Sequence, residues 1–584
     1  MKNRIITIGS ITLMTILVFA FAACKSEVDP VVTGITVKPA VVNAVKGKLK
    51  QKQLSAVVAG SGSGYTAVTW AVVDSGTTGE GTISVDSNGK LTVNTSALAG
   101  TAIIRATSNV TGELYSEAAV NVLVQGDGTA STPYLVDDGP SLASIGGAWP
   151  LDAYYKQIDD IDLASYANWT PIGNDANKFT GSYDGSYNDV DFTISNLTID
   201  RSATDSQGLF GVISGADAVL KNIKLTNVNI IGKGNVGGVI GMNDSGTVEN
   251  CFGTGLVTGD ASIGGIVGYS VSGYVIGCFF DGSVSGVLNI GGVVGFSTGI
   301  VIGCYASSNV NGTDNAIGGV VGNNFLGEVT DCYSSSNVTG TGNVIGGVVG
   351  INNGSTAKVV NCFSIGDVTG IADVGGVTGS STGILQDCYT IGNITGNLCV
   401  GGVVGSNNGS ASKVFRCYTT GVVSGETDIG GIAGVNFNLL IDCYATGTVS
   451  GTGIDSHNIG GVIGDNQGTL QNCYALGAVS GNHYLGGMAG SNTGEVTSCV
   501  ALNASVNGSS FAGRLIGYNT GAGDYPSSYG RTGMPITGGS ANAAIIPGLD
   551  VAPGAYNSQA FWAGIGWDFT IVWEMSGDNL PVFQ

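Results

Sequence analysis

From Gly234 to Thr520 short apolar runs alternate with Gly, Asn and Ser, and the alternation repeats along the chain. A Gly-Gly pair recurs with its first member at Gly237, Gly264, Gly291, Gly318, Gly346, Gly375, Gly401, Gly430, Gly460 and Gly486, at steps of 26 to 30 residues. Each period holds an apolar run such as VGGVIG at Val236, a turn, a run such as TVENCF at Thr247, another turn, and a short run such as LVTG at Leu256. Neither a 3.6-residue apolar spacing nor a helix-capping pattern is present, so one period predicts one coil of about three short strands. Coils stacked strand on strand predict a rod of roughly 50 Å for the clear repeats.

Stacking sets equivalent residues above one another, and four columns follow. Asn or Ser stands two residues past the last Gly of the first strand, from Asn243 and Ser270 to Asn466 and Asn492, where its side chain can serve turn amides and its neighbours along the rod. An apolar column runs from Val248 to Val496 and packs inward. Three residues later Cys recurs once per coil at Cys251, Cys278, Cys304, Cys332, Cys362, Cys388, Cys417, Cys443, Cys473 and Cys499. In-register side chains point the same way and fit poorly the torsion near 90° of a disulfide, so a buried column of free thiols is expected. One ligand per coil does not make a tetrahedral metal site. The spacing of three needs a kink if both columns face inward, and Asn250, Gly303, Asp331, Asn361 and Asp387 suit one. Aromatic residues follow the thiols, and alternation turns them outward as a candidate ligand-binding stripe that includes Tyr389, Tyr418, Tyr444 and Tyr474.

Upstream, residues 31–124 carry short β-branched runs separated by turn residues, which predicts a β-sandwich with Trp70 as a core anchor. Lys2 and Arg4 precede an apolar stretch from Ile5 to Ala23 and then Cys24, the pattern of an export signal. With 99 Gly among 584 residues, 11% charged residues and a mean hydropathy of +0.29, the chain is too apolar for disorder and too rich in Gly for long helices. The net charge of -21 argues against nucleic-acid binding.

Three resemblances organise these segments. FAAC at Phe21 resembles a lipobox, which implies a lipoprotein signal peptide over residues 1–23, acylation of Cys24 and a linker over 24–30. An uncleaved anchor helix is the alternative, since about 19 apolar residues just span a bilayer. VTGITVKP at Val31, VTWAVV at Val68, ISVDSNGKLTV at Ile83 and GTAIIRATS at Gly100 resemble the bacterial Ig-like group 2 family, whose members serve as spacers or adhesion modules. The repeats, together with GDGTASTPYLV at Gly126, DIDL at Asp160, WTPIG at Trp169, FTGSYDG at Phe179 and GLFG at Gly208, resemble the GLUG-motif surface proteins. That resemblance implies an all-β, right-handed parallel β-solenoid with opening coils over 126–230, repeats over 231–520 and a C-terminal cap over 521–584. The cap carries Trp562, Trp567, Trp573 and Pro581 and is expected to block the open end.

Candidate chemistry is sparse. His457 and His483 each lie three residues before a Gly-Gly pair and are weak metal candidates, with Asp455 nearby. Asp159, Asp160 and Asp162, and Asp184, Asp189 and Asp191, are oxygen-rich clusters that calcium favours. HExxH and P-loop motifs are absent from the sequence, and no nucleophile elbow is expected. The expected function is therefore a non-catalytic, cofactor-free, lipid-anchored surface protein of the outer membrane, an adhesin-like rod or scaffold that binds glycans or surface and matrix proteins. A polysaccharide lyase or glycosidase on a β-helix and a purely structural surface-layer stalk are the alternatives.

Overall fold

The computed structural model describes residues 29–521, 525–539, 545–577 and 579–584. Cys24 and the export segment lie outside the described residues. The chain divides into two compact units at Val124 and Gln125.

In the first unit Val31–Lys38 pairs antiparallel with Ser55–Ser61. Val41–Val45, Tyr115–Leu123, Gly100–Ser108 and Val68–Asp74 form a four-stranded sheet in that order, parallel only between its first two members. Lys50–Gln53, Lys90–Val93 and Ile83–Val85 form a third, antiparallel sheet. Period-two burial follows the alternating sequence: Ala102, Ile104 and Ala106 on one strand and Ala118, Val120 and Val122 on the next are buried, and half-buried Trp70 packs against them.

The second unit is a right-handed parallel β-solenoid of about 14 turns, ~65 Å of stacked strands at the usual spacing. Four parallel sheets run along it. A valine sheet of 14 strands extends from Tyr134–Val136 to Glu495–Thr497, an asparagine sheet of 12 from Phe210–Ser214 to Ile516–Asn519, and a glycine sheet of 11 from Gly234–Gly237 to Ser510–Gly513. The fourth, an aromatic sheet of 25 strands from Ile161–Asp162 to Leu549–Val551, takes two short strands from most coils. Register is strict, so that Val248 pairs with Val275, Val275 with Val301 and Val301 with Val329.

Three strands per coil is thus an undercount, and two corners explain it. VGGVIG is not one strand, because the chain turns at the Gly-Gly pair: Gly234–Gly237 belongs to the glycine sheet and Ile240–Asp244 to the asparagine sheet. A Cβ on Gly237 or Gly238 would overlap the carbonyl oxygens of Ile240 and Gly265, so only glycine turns here. TVENCF also breaks, at a left-handed residue before each thiol: Asn250 has φ 51°, Gly303 61°, Asp331 53°, Asn361 53° and Asp387 54°. Asn, Asp and Gly tolerate that region best. Both flanking columns then turn inward, and Val248 and Cys251 are equally buried.

The C-terminal residues depart from a simple end plug. Tyr529–Arg531, Ile536–Thr537 and Leu549–Val551 extend the aromatic sheet, and Ile546 bridges antiparallel to Ile516 on the last strand of the asparagine sheet. The Trp-rich residues then run back along the outside of the aromatic sheet: Trp567 Nε1 donates to Ser498 O at 2.9 Å, and Tyr474 Oη donates to Pro581 O at 2.8 Å. Their apolar side chains pack there against the aromatic face, with Tyr444, Tyr474 and Val500.

Candidate functional site

The aromatic column forms a ladder of nine rings from Phe252 to Tyr474. From Tyr305 to Tyr474 the ring centroids lie 4.8–5.1 Å apart with planes within 7° of parallel. Strand spacing imposes that distance and register imposes the parallel planes. Each inner ring therefore spends both faces on its neighbours. Solvent meets ring edges and phenol hydroxyls, not the flat faces on which a sugar ring would stack. Burial raises the phenol pKa of Tyr389, and burial with the adjacent Tyr389 raises that of Tyr418, so both stay protonated and uncharged.

Of the four tyrosines expected in the stripe, Tyr389 and Tyr418 are half-buried, but Tyr444 is only 8% exposed and Tyr474 2%. The C-terminal segment covers them: Phe583 lies 5.4 Å from Tyr444 and Trp562 lies 5.7 Å from Tyr474, ring to ring. Trp573 donates from Nε1 to Asp442 Oδ1 at 3.4 Å. In the next coil Val500 replaces the aromatic and is buried with Trp562, Trp567 and Trp573, the smaller side chain leaving room for the indoles. The open part of the ladder is therefore Phe252 to Tyr389, with Tyr418 at the boundary. Ile365 and Ile391, two residues beyond Phe363 and Tyr389, widen its apolar edge at 46% and 52% exposure.

The other candidates lie elsewhere. His457 and His483 are paired in register on neighbouring strands, but His457 Nδ1 meets Asp455 O at 2.9 Å and His483 Nδ1 meets Ser510 Oγ at 2.7 Å. Asp455 thus offers its carbonyl to the ring. Among the described residues no three His, Cys, Asp or Glu side chains are grouped to hold a metal ion. Asp160 accepts from Thr193 N, Asp162 from Asn196 Nδ2, and Asp184 from Asn222 Nδ2 and Ser186 Oγ, so these carboxylates tie the opening coils together. The ten column thiols are free and buried, and burial pushes Cys251, Cys304 and Cys362 well above the ordinary thiol range. The asparagine column is a continuous hydrogen-bonded chain over Asn407, Asn436, Asn466, Asn492 and Asn519, at 2.7–2.9 Å between amides.

One coil carries a GLUG motif. The match covers residues 313–339, from the turn before Ile317–Gly318 through Tyr333 to Thr339, and so includes one rung of the thiol, asparagine and aromatic columns. The chain is also 36% identical over 186 residues to halomucin of Haloquadratum walsbyi, which covers 28% of this chain and 2% of halomucin. It is 30% identical over 141 residues to a Gly-rich membrane protein of Evansella cellulosilytica, covering 23% of this chain and 16% of that protein. The chain thus spans a small fraction of the length of either relative.

Proposed function

We propose that this chain is a non-catalytic cell-surface interaction protein, anchored by a lipid on Cys24, in which an Ig-like module is the spacer and the open aromatic ladder receives a protein partner. The observation that carries it is the ladder itself, nine rings long and only partly covered. Its covered part is a sample of the partner chemistry it accepts: Phe583 and Trp573 lie tilted at 44° and 51° against Tyr444, and Pro581 takes the hydroxyl hydrogen of Tyr474. A polypeptide bearing aromatic anchors satisfies ring edges and phenol donors together. The names of the relatives, a mucin of one organism and a membrane protein of another, support a surface location. Repeated weak contacts along several coils add through multivalency.

Intact producing cells test both parts. Cys24→Ser should release the protein into the medium. In cells carrying the anchored protein, Tyr305→Ser, Tyr333→Ser and Tyr389→Ser together should cut attachment to immobilised fibronectin, collagen or mucin at least about tenfold, while each single change has little effect. Full attachment by the triple variant, or no attachment by the parent, rejects the ladder as a docking face and leaves a stalk. Retention of Cys24→Ser in the membrane rejects the lipid anchor.

A further inference from the structure

The opening coils hold a cleft of about 700 Å³ apart from the ladder, between the loop around Trp149 and the loop from Tyr166 to Asn177. Its size falls in the range of small-molecule sites. The chain carries a net charge of -21, yet no lining residue is an acid, a base or a histidine. The cations beside it are turned to structural work outside the lining: Arg201 donates from Nε to Trp169 O at 3.3 Å and from Nη2 to Thr170 Oγ1 at 2.9 Å, and Lys178, next to Asn177, pairs with Asp244 at 2.7 Å. Asp175, also outside the lining, stands exposed between Asn174 and Asn177.

The walls are aromatic and held in place. Trp149 stacks on Tyr134 at 4.9 Å with planes 7° apart, and Tyr166 meets Trp169 edge-on at 5.3 Å. Trp169 is buried and fixed by its Nε1 bond to Leu209 O at 3.1 Å, while Trp149 and Tyr166 remain half-exposed. On the rim stand three exposed amides, Asn168, Asn174 and Asn177. Asn168 is tied to the Asp200 backbone, donating from Nδ2 to Asp200 O at 2.9 Å and accepting at Oδ1 from Asp200 N at 3.2 Å, so that Asn174 and Asn177 are the ones turned to a ligand. Asn174 Oδ1 accepts from the backbone N–H groups of Ala176 and Asn177, which leaves its amide hydrogens to solvent. Amides donate and accept alike, the pairing that hydroxyl groups require.

We infer that this cleft binds a neutral oligosaccharide. An anionic ligand would meet an uncharged lining beside the exposed Asp175, with Lys178 and Arg201 already engaged, and a cationic one would find a carboxylate only outside the lining. Neither has its desolvation offset within the cleft. A wholly apolar ligand would strand the amides of the rim. A neutral sugar presents apolar C–H faces to the aromatic walls and hydroxyls to the rim, and so uses both. The site is independent of the ladder, so the two stand or fall separately.

Titration calorimetry on the full chain tests it with cellotetraose, maltotetraose, mannotetraose and xylotetraose, with tetragalacturonate and indole as contrasting probes. At least one neutral tetrasaccharide should bind with a Kd below about 1 mM and more tightly than tetragalacturonate or indole. Asn174→Asp with Asn177→Ala should weaken that binding about tenfold at unchanged Tm, since the aspartate oxygen keeps the turn bonds to Ala176 N and Asn177 N while the amide donors are lost, and each exposed hydrogen bond is worth roughly a factor of three to ten. Trp149→Ala should weaken it by a similar or larger factor. The triple ladder variant should leave it unchanged. Failure of all four neutral sugars at 10 mM, preference for tetragalacturonate or indole, or undiminished binding by the double asparagine variant overturns the proposal. The asparagine variant keeps the test decisive even if loss of Trp149 disturbs the Tyr134 stack.

Discussion

Each column cysteine works as a small buried donor in the bend that its left-handed neighbour creates. Cys304 Sγ donates to Ile302 O at 3.4 Å and Cys388 Sγ to Gln386 O at 3.1 Å, the carbonyl two residues back in both cases. The thiol also receives a backbone N–H from the preceding coil, as Cys304 Sγ does from Cys278 N at 3.4 Å. One coil past the last thiol the same position is Ser528, whose Oγ donates to Pro526 O at 3.4 Å and accepts from Cys499 N at 3.3 Å. A hydroxyl therefore fits the bend. Cys388→Ser should cost no more than about 1 kcal/mol, because its new polar group finds both partners. Cys388→Leu should cost roughly 1–3 kcal/mol by overpacking. Urea unfolding of the two variants decides this, and a serine variant worse than the leucine one would mean that sulfur packing, not the hydrogen bond, selects cysteine. The inward column and its kink were legible in the sequence, since a spacing of three between two buried columns permits little else. The carbonyl that each thiol serves was not, because it depends on the left-handed φ and not on residue identity: Arg416 and Ser498 take the same conformation at φ 52°.

At the scale of elements, the C-terminal segment shows where pattern reading stops. Its tryptophans read as a cap because large apolar residues at a chain end suggest one, but which solenoid surface they cover is a matter of free aromatic area, not of period. The one local signal was the break in the aromatic column at Val500, which makes room for Trp562 and Trp567. The cleft of the opening coils was equally hidden, since Asn168, Asn174 and Asn177 lie in irregular loops outside the repeat. Fully buried Trp573 is the hub of the docked segment, touching Trp567 at 4.5 Å and Phe583 at 4.6 Å between ring centroids. Trp573→Ala should remove roughly 3–5 kcal/mol from the docking of this segment. The solenoid, whose coils contact mainly their neighbours, should stay folded. Limited proteolysis with hydrogen exchange reads the difference: cleavage after Val551 with coils protected up to Asn519 is the expected result. Loss of protection throughout the rod would make the segment a fold-wide strut.

Over the whole molecule, the strict register that stacks tyrosines and asparagines also sets acids into its columns, Asp373 and Asp428 on either side of Cys399 and Asp387 and Asp442 on either side of Arg416, and the burial of some of them gives stability a pH dependence. Burial raises the carboxyl pKa of Asp373, Asp428 and Asp442, against hydrogen bonds from Ser406, Asn458 and Asn472 that lower it. A carboxyl raised in the folded state holds its proton more tightly folded than unfolded. Its contribution to stability therefore grows as pH falls through the raised value and is complete near the ordinary value of 3.8. Asp387 runs the other way: burial works to raise it, but the hydrogen bonds of Arg416 at 2.5 and 2.6 Å, with those of Gln386, outweigh burial and lower it. Asp244 is lowered by Lys178 at 2.7 Å against the effect of burial, and Asp184 is lowered as well, the bonds of Asn222 and Ser186 overcoming its burial. These groups contribute stability that is present above 3.8 and is lost as pH falls through their lowered values. Reduced repulsion within a chain of charge -21 adds to the first trend. The Tm should therefore rise from pH 7.5 to about pH 5 and fall again below 3.8. Asp373→Asn with Asp428→Asn should flatten the rise while leaving the acid limb in place. A Tm that declines steadily from pH 7.5 to pH 5, or a rise unchanged in the double variant, would place the pH dependence in groups other than these buried acids.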